Sequence, residues 1–220
     1  MKPTNISNPE YFHKVVDCQH ACPAHTPVPE YIRLIAAQRY TDAYMVNWES
    51  NVFPGVLGRT CDRPCEPACR RGRVEEEPVA ICRLKRVAAD NKGDISKLLP
   101  AAGARNGKKL ALIGAGPASL TVARDLSPLG YEIHIYDENA KGGGFMRSQI
   151  PSFRLPDEVL DEEVGFITDN KAVTTFYDTR VDSLKDLLDK DYDAVFVGSG
   201  APKGRDLPDL PGRKEGADGI

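Results

Sequence analysis

Hydrophobic and polar positions change their spacing once along this chain, near Lys109. Before it, apolar residues recur three and four apart in short stretches broken by prolines, which predicts short helices. One is expected over Glu30–Arg39, opened by Pro29, with Tyr31, Leu34 and Ile35 on one face. Proline in a first turn sacrifices no helical hydrogen bond. Thr41 is placed to cap a second helix running through Trp48. A third is expected over Pro78–Asp90, with Val79, Cys82 and Arg86 along one stripe. Residues 91–108, with Gly93, Pro100, Gly103 and Gly107 among small and polar residues, read as connecting sequence.

From Lys109 the pattern becomes strand–helix alternation. Strands are predicted at Leu110–Gly114, Tyr131–Tyr136, Val173–Tyr177 and Ala194–Gly198. Helices are predicted between them at Pro117–Leu129, Asp157–Asn170 and Ser183–Asp189. Such alternation implies a parallel sheet with helical crossovers. The expected fold class is therefore α plus α/β: an all-helical domain over 1–95, a linker over 96–108, and an α/β domain over 109–220.

Charge adds little globally. Lys and Arg number 29 against 32 Asp and Glu, for a net charge of −3. That balance gives no argument for nucleic acid or an anionic membrane. The opening stretch MKPTNISNPEYFHKVV lacks the apolar core of a signal peptide. No run approaches the roughly 18 apolar residues of a spanning helix. A cytoplasmic protein is expected. One local exception is Arg59, Arg63, Arg70, Arg71 and Arg73, which read either as a solvated basic loop or as compensation for nearby negative charge. Glu75–Glu77 reads as a solvated charge run.

The six cysteines change the picture more. They fall as Cys18 and Cys22, then Cys61, Cys65 and Cys69, then Cys82. In a reducing compartment they read as metal ligands rather than a disulfide framework. Thiolates are soft anionic donors, and an iron–sulfur cluster needs several converging from different segments. Pro64 and Pro67 disfavour a regular helix through Cys61–Cys69, leaving backbone to wrap around a cluster. Four thiolates also suit structural zinc. Zinc sites favour paired knuckles, however, and this two-three-one array favours iron–sulfur.

Gly114-Ala-Gly116-Pro-Ala-Ser119 follows the first strand. The first glycine permits a tight turn, and the second lets backbone approach a pyrophosphate at the helix N-terminus. Ser119 fills the third place with a small side chain. Asp137 ends the second strand about 20 residues on, where a carboxylate takes ribose hydroxyls. The plainer reading of Asp137 is a strand-end turn residue.

The stretches CQHACPAHTPVPEYIRLIAAQRY, NVFPGVLGRTCDRPCEPACRRG and PVAICRLKRVAAD resemble the N-terminal Fe–S domain of the glutamate synthase small subunit. The same domain opens dihydropyrimidine dehydrogenase and related NAD(P)H-dependent flavin reductases, and the resemblance covers essentially the whole chain. In that family the first block reads CxxCxxxxCxxxCP and the domain holds two [4Fe–4S] clusters. Here Glu10 and His13 occupy the two upstream positions. The family pattern groups Cys22, Cys61 and Cys65, with a fourth ligand from the following helix near Lys85; Cys82 lies one turn earlier on the same face. It groups Cys18 and Cys69 at a second site, with His13 as a third candidate.

The resemblance further implies a Rossmann-like FAD-binding domain of which this chain holds the first part. Gly114, Gly116, Ala118 and Ser119 would form the flavin cradle, with Asp137 at the strand end. Gly142-Gly143-Gly144 and RSQIPSFRLPDEVL match a second flavin signature, which carries over Gly143, Gly144, Phe145 and Arg154. Thr60 and Val181 carry over as further flavin contacts. In the family, YDAVFVGSGAPKG leads into an NAD(P)H-binding domain that this sequence does not contain, so a fragment or a subunit is expected. The implied function is electron transfer from NAD(P)H through FAD and [4Fe–4S] to a partner subunit or a ferredoxin-like acceptor. The chain alone is not expected to oxidise NAD(P)H, and no catalytic side chain is assigned. The competing reading is a non-catalytic scaffold stabilised by Fe–S or zinc.

Overall fold

The computed structural model describes residues 16–201. Glu10 and His13 lie outside the described residues. The first part contains helices and turns: α1 (Asp17–Ala21), α2 (Val28–Ala36), α3 (Tyr40–Ser50), α4 (Pro54–Thr60), a 3₁₀ turn at Arg70–Arg73, and α5 (Ile81–Asn91). The second alternates β1 (Lys109–Ile113), α6 (Pro117–Leu126), β2 (Glu132–Tyr136), α7 (Phe145–Ser148), α8 (Asp157–Thr168), β3 (Val173–Phe176), α9 (Leu184–Leu188) and β4 (Ala194–Val197).

Two local expectations are corrected. Thr41 does not cap α3; its hydroxyl accepts the Gly93 N–H at 2.9 Å instead. The third helix starts at Ile81 rather than Pro78. Its Cys82 N–H donates to the Glu66 carboxylate at 3.0 Å, so a residue far back in the chain sets the helix start. The stripe shifts accordingly: Cys82 shares its buried face with Lys85, and Arg86 is exposed.

The four strands run in the order β3-β2-β1-β4. Every pair is parallel, with Leu110 opposite Ile133 and Ala194, and Ile133 opposite Val173. β2 alternates: Ile133 and Ile135 are buried, while Glu132, His134 and Tyr136 take the opposite face. Leu112, Leu120, Ile133, Ile135, Leu160 and Val164 form the core beside the sheet. Phe53 and Val56, from the start of α4, belong to that same core. A second cluster holds Tyr31, Leu34, Ala43, Cys65 and Ile81, and a third joins Tyr44, Trp48 and Ala89 to Ile95.

Polar contacts also tie the two parts. Glu163 on α8 is 1% exposed. It accepts the N–H groups of Gly55 and Val56 at 2.6 and 3.0 Å and the Tyr44 hydroxyl at 2.7 Å. Arg124 on α6 donates to the Trp48 carbonyl at 2.6 Å, and Lys92 pairs with Glu162 at 2.7 Å.

Candidate metal centre and nucleotide cradle

Cys61 follows directly on α4, and Cys82 sits in the first turn of α5. These helices cross at Gly58, where a side-chain carbon would stand 2.8 Å from Arg86 Cα. The close approach puts the Cys61 and Cys82 thiols in hydrogen-bond contact, which lowers the Cys61 pKa and raises that of Cys82. The Arg63 N–H, 3.3 Å from the Cys61 sulfur, also favours the thiolate. Cys65 is pushed up to about 11, chiefly by burial and then by neighbouring Cys22 and Cys61. Cys22 follows α1, its sulfur 3.5 Å from the Thr26 hydroxyl, which the Asn51 amide holds at 2.7 Å.

Tyr31 lies among these sulfurs. It is fully buried and donates to the Ile81 carbonyl at 3.2 Å. Burial raises its phenol pKa, and the sulfurs of Cys65, Cys22, Cys82 and Cys18 add to the rise. Electrostatic contacts link Cys22 to Cys65, Cys65 to Cys61, and Cys61 to Cys82, and these four cysteines come from three separate segments. Cys18 and Cys69 are neighbours of each other: burial raises the Cys18 thiol and Cys69 adds to it. Asp17 braces that pair, bonding Arg70 at 3.0 Å and Arg73 at 2.9 Å.

All six cysteines are free thiols. Among the described residues, no three His, Cys, Asp or Glu side chains gather as the ligands of a single metal ion do. A cuboidal cluster asks for a different layout, with each thiolate on its own iron and the core between them. Four soft donors beside buried Tyr31 and Lys85 fit such a group. The arginines around the loop are held by carboxylates: Arg59 by Asp90 at 2.6 Å, Arg71 by Glu75 at 2.5 Å, and Arg63 by Glu66 at 3.9 Å.

The glycine turn is built by backbone. Gly114 has φ +86°, and a side chain there would press within 2.6 Å of the Gly198 carbonyl oxygen. Gly144, at φ +53°, would meet Gly116 Cα at 2.8 Å if it carried one. Helix α6 starts after Gly116 without a side-chain cap. Its first residue, Pro117, has no N–H, so the N–H groups of Ala118 and Ser119 are the helix's open donors. Ser119 is fully buried, and its hydroxyl has no hydrogen-bond partner. Bare backbone, open donors and an orphaned hydroxyl fit a dinucleotide phosphate.

Asp137 holds the glycine turn. Its Oδ2 accepts the Ala115 N–H at 2.5 Å, and its Oδ1 accepts the Asn139 backbone and amide N–H groups at 2.8 Å. One lone pair of Oδ2 remains for a ribose. Gly143 donates to the Ala115 carbonyl at 2.8 Å, docking the second glycine run against the first. Phe145 opens α7 at 53% exposure. Arg154 is exposed, with no ion pair among the described residues. Thr60 bonds the Val56 carbonyl at 2.9 Å, and Val181 is half-buried after β3.

Sequence reasoning placed Tyr31 on a helix face and Lys85 at a poor-ligand position, and passed over Glu163. A buried tyrosine, lysine or glutamate becomes visible only once distant segments meet.

Residues 12–96 match the family described as dihydropyrimidine dehydrogenase domain II, 4Fe-4S cluster. Beyond that segment, the chain is similar to dihydropyrimidine dehydrogenase and glutamate synthase subunits. It is 39% identical to the NADP(+)-dependent formate dehydrogenase subunit beta of Moorella thermoacetica, over 83% of this chain and 29% of the relative. It is 35% identical to an NAD-dependent dihydropyrimidine dehydrogenase subunit PreT homolog of Salmonella typhi, over 87% and 47%. It is 31% identical to the glutamate synthase [NADPH] small chain of Mycobacterium tuberculosis, over 90% and 40%. The chain therefore spans less than half the length of each of these relatives. No helix among the described residues is long and apolar enough to cross a membrane.

Proposed function

We propose that this chain is the electron-transfer portion of a flavin- and iron–sulfur-dependent NAD(P)H oxidoreductase. The observation that carries the reading is the electrostatic chain from Cys22 to Cys65, Cys61 and Cys82, with Cys22, Cys65 and Cys82 acting on buried Tyr31, inside the segment matched to a 4Fe-4S family. A flavin takes electrons in pairs and gives them singly, and an iron–sulfur cluster handles them one at a time.

Each residue set has a distinct task. The four cysteines hold one [4Fe–4S] cluster, and burial beside Tyr31 excludes water from it. Cys18 and Cys69 form a depleted second site. Gly114, Gly116 and Gly144 give close backbone approach to the FAD pyrophosphate, which the N–H groups of Ala118 and Ser119 bind. Asp137 holds the glycine turn through Ala115 and offers its remaining lone pair to a ribose hydroxyl. Gly143, Phe145 and Arg154 border the flavin, with Thr60 reaching it from the helical domain and Val181 near the adenine. The domain division follows the same reading: a helical Fe–S domain over 1–95, a linker over 96–108, and the first part of a Rossmann-like FAD domain from 109. We assign the NAD(P)H-binding portion to sequence outside these residues, supported by the greater length of the relatives. The electron acceptor is a partner subunit or a ferredoxin-like protein in the cytoplasm.

Anaerobic purification followed by visible spectroscopy and sulfide analysis tests this reading. Flavin absorption together with a broad iron–sulfur absorption that bleaches on reduction is the expected result. A colourless protein containing zinc and no sulfide would contradict it and support a structural scaffold.

A further inference from the structure

Lys85 is 5% exposed, although a lysine ammonium belongs in water. It sits on α5 one turn after Cys82, on the same buried face. Among the described residues it has no carboxylate partner and no hydrogen bond; its electrostatic partners are the thiols of Cys61, Cys65 and Cys82, whose ionisation it favours. Burying an unpaired ammonium is costly, so such a group persists only where negative charge faces it. The other cations nearby are exposed or paired. The Arg63 side chain is 43% exposed and faces Glu66, and that of Arg59, although only 7% exposed, has a carboxylate partner in Asp90.

We propose that the buried charge of Lys85 sets the reduction potential of the cluster held by Cys22, Cys61, Cys65 and Cys82. This inference rests on the cluster reading above. Net charge around a cluster is one of the levers on its potential. Reduction adds one electron and therefore one negative charge, with no bond made or broken. A fixed positive charge a few ångströms away stabilises the reduced state more than the oxidised state.

The test compares wild-type protein with Lys85→Met, which removes the charge at similar volume, and Lys85→Arg, which keeps it. Lys85→Gln is a second neutral variant that retains a polar end should the methionine variant fail to fold. Iron and sulfide are counted, and the midpoint is then read by electron paramagnetic resonance during a mediated dithionite titration. The neutral variants are expected to show at least a tenfold fall in the reduced-to-oxidised ratio at a fixed potential, about 59 mV for one electron. Lys85→Arg should stay within threefold of wild type. An iron-loaded neutral variant with an unmoved midpoint would overturn the inference alone. Wild-type protein without iron would overturn the cluster reading and the inference together.

Discussion

The sheet region and the cysteine region are held together by different forces. Around the sheet, Leu112, Leu120, Ile133, Ile135 and Leu160 are all essentially inaccessible and share one core. Each such side chain contributes roughly 1.5–3 kcal/mol by leaving water. In the cysteine region, Cys65 and Cys18 take places in the apolar cluster that larger aliphatic side chains fill elsewhere. Between Cys61 and Ile81 the chain makes only turns and one 3₁₀ segment, braced by partly exposed ion pairs. Such pairs contribute about 0–1 kcal/mol each. The sheet region is packed by large aliphatic side chains, whereas the cysteine region leans on partly exposed ion pairs and, on the proposed cluster reading, on ligation.

The sharpest way to break that comparison is to take the metal away. Cys65→Ser, or chelation of iron, should abolish hydrogen-exchange protection through α1, α4 and the start of α5. The β1 and β2 amides should stay protected. The loss in the cysteine region is expected on the order of 10 kcal/mol, the scale on which metal binding stabilises small metal-dependent domains. Equal loss of protection in both regions would show that they are not separately supported.

The seam between the regions is the next largest lever. Glu163→Ala leaves the Gly55 and Val56 N–H groups and the Tyr44 hydroxyl without their acceptor. A stranded buried donor costs about 1–3 kcal/mol, so a loss of roughly 3–5 kcal/mol is expected by chemical denaturation. A change below about 1 kcal/mol would mean that this contact does not join the regions.

Gly114→Ala acts within the sheet region and should spare the cluster. The left-handed backbone and the 2.6 Å approach to Gly198 together predict a cost of about 2 kcal/mol or more. Flavin retention should fall while the iron count stays unchanged. Iron loss in this variant would argue against separate support.

A pH series returns to the seam through Glu163. Burial raises the Glu163 carboxyl from 4.5 to about 7, against the pull of the Gly55, Val56 and Tyr44 donors and of Lys92. The folded state therefore binds this proton more tightly than the unfolded state. Its contribution is fully present below pH 4.5 and is lost as pH rises through about 7, by roughly 3 kcal/mol. Glu163→Gln should remove that slope from the stability curve, and a parallel curve for wild type and variant would contradict the assignment.

Much of the sheet region was legible because its signals are local. The apolar run at Leu110–Ile113, the glycine turn and the uncapped start of α6 all follow from neighbouring residues. The predicted helix Pro117–Leu129 ends as α6 at Leu126, and a 3₁₀ turn with Gly130 at φ +86° completes it. The cysteine region was legible in the spacing of its cysteines but less so in its surroundings. The start of α5 depends on Glu66, and the burial of Lys85 depends on α4 crossing at Gly58. Asp137 reads as a ribose ligand from its position, yet its carboxylate is largely engaged in holding the turn. Contacts between distant segments have no signature in local spacing.

Iron and acid-labile sulfide counting on anaerobically purified variants tests the central claim most directly. Wild-type protein should hold about four of each per chain, as one cubane requires. The Cys18→Ser/Cys69→Ser double variant should keep them, and Cys61→Ser should lose them. Full loss in the double variant, or full retention in Cys61→Ser, would contradict the assignment of the cluster to Cys22, Cys61, Cys65 and Cys82.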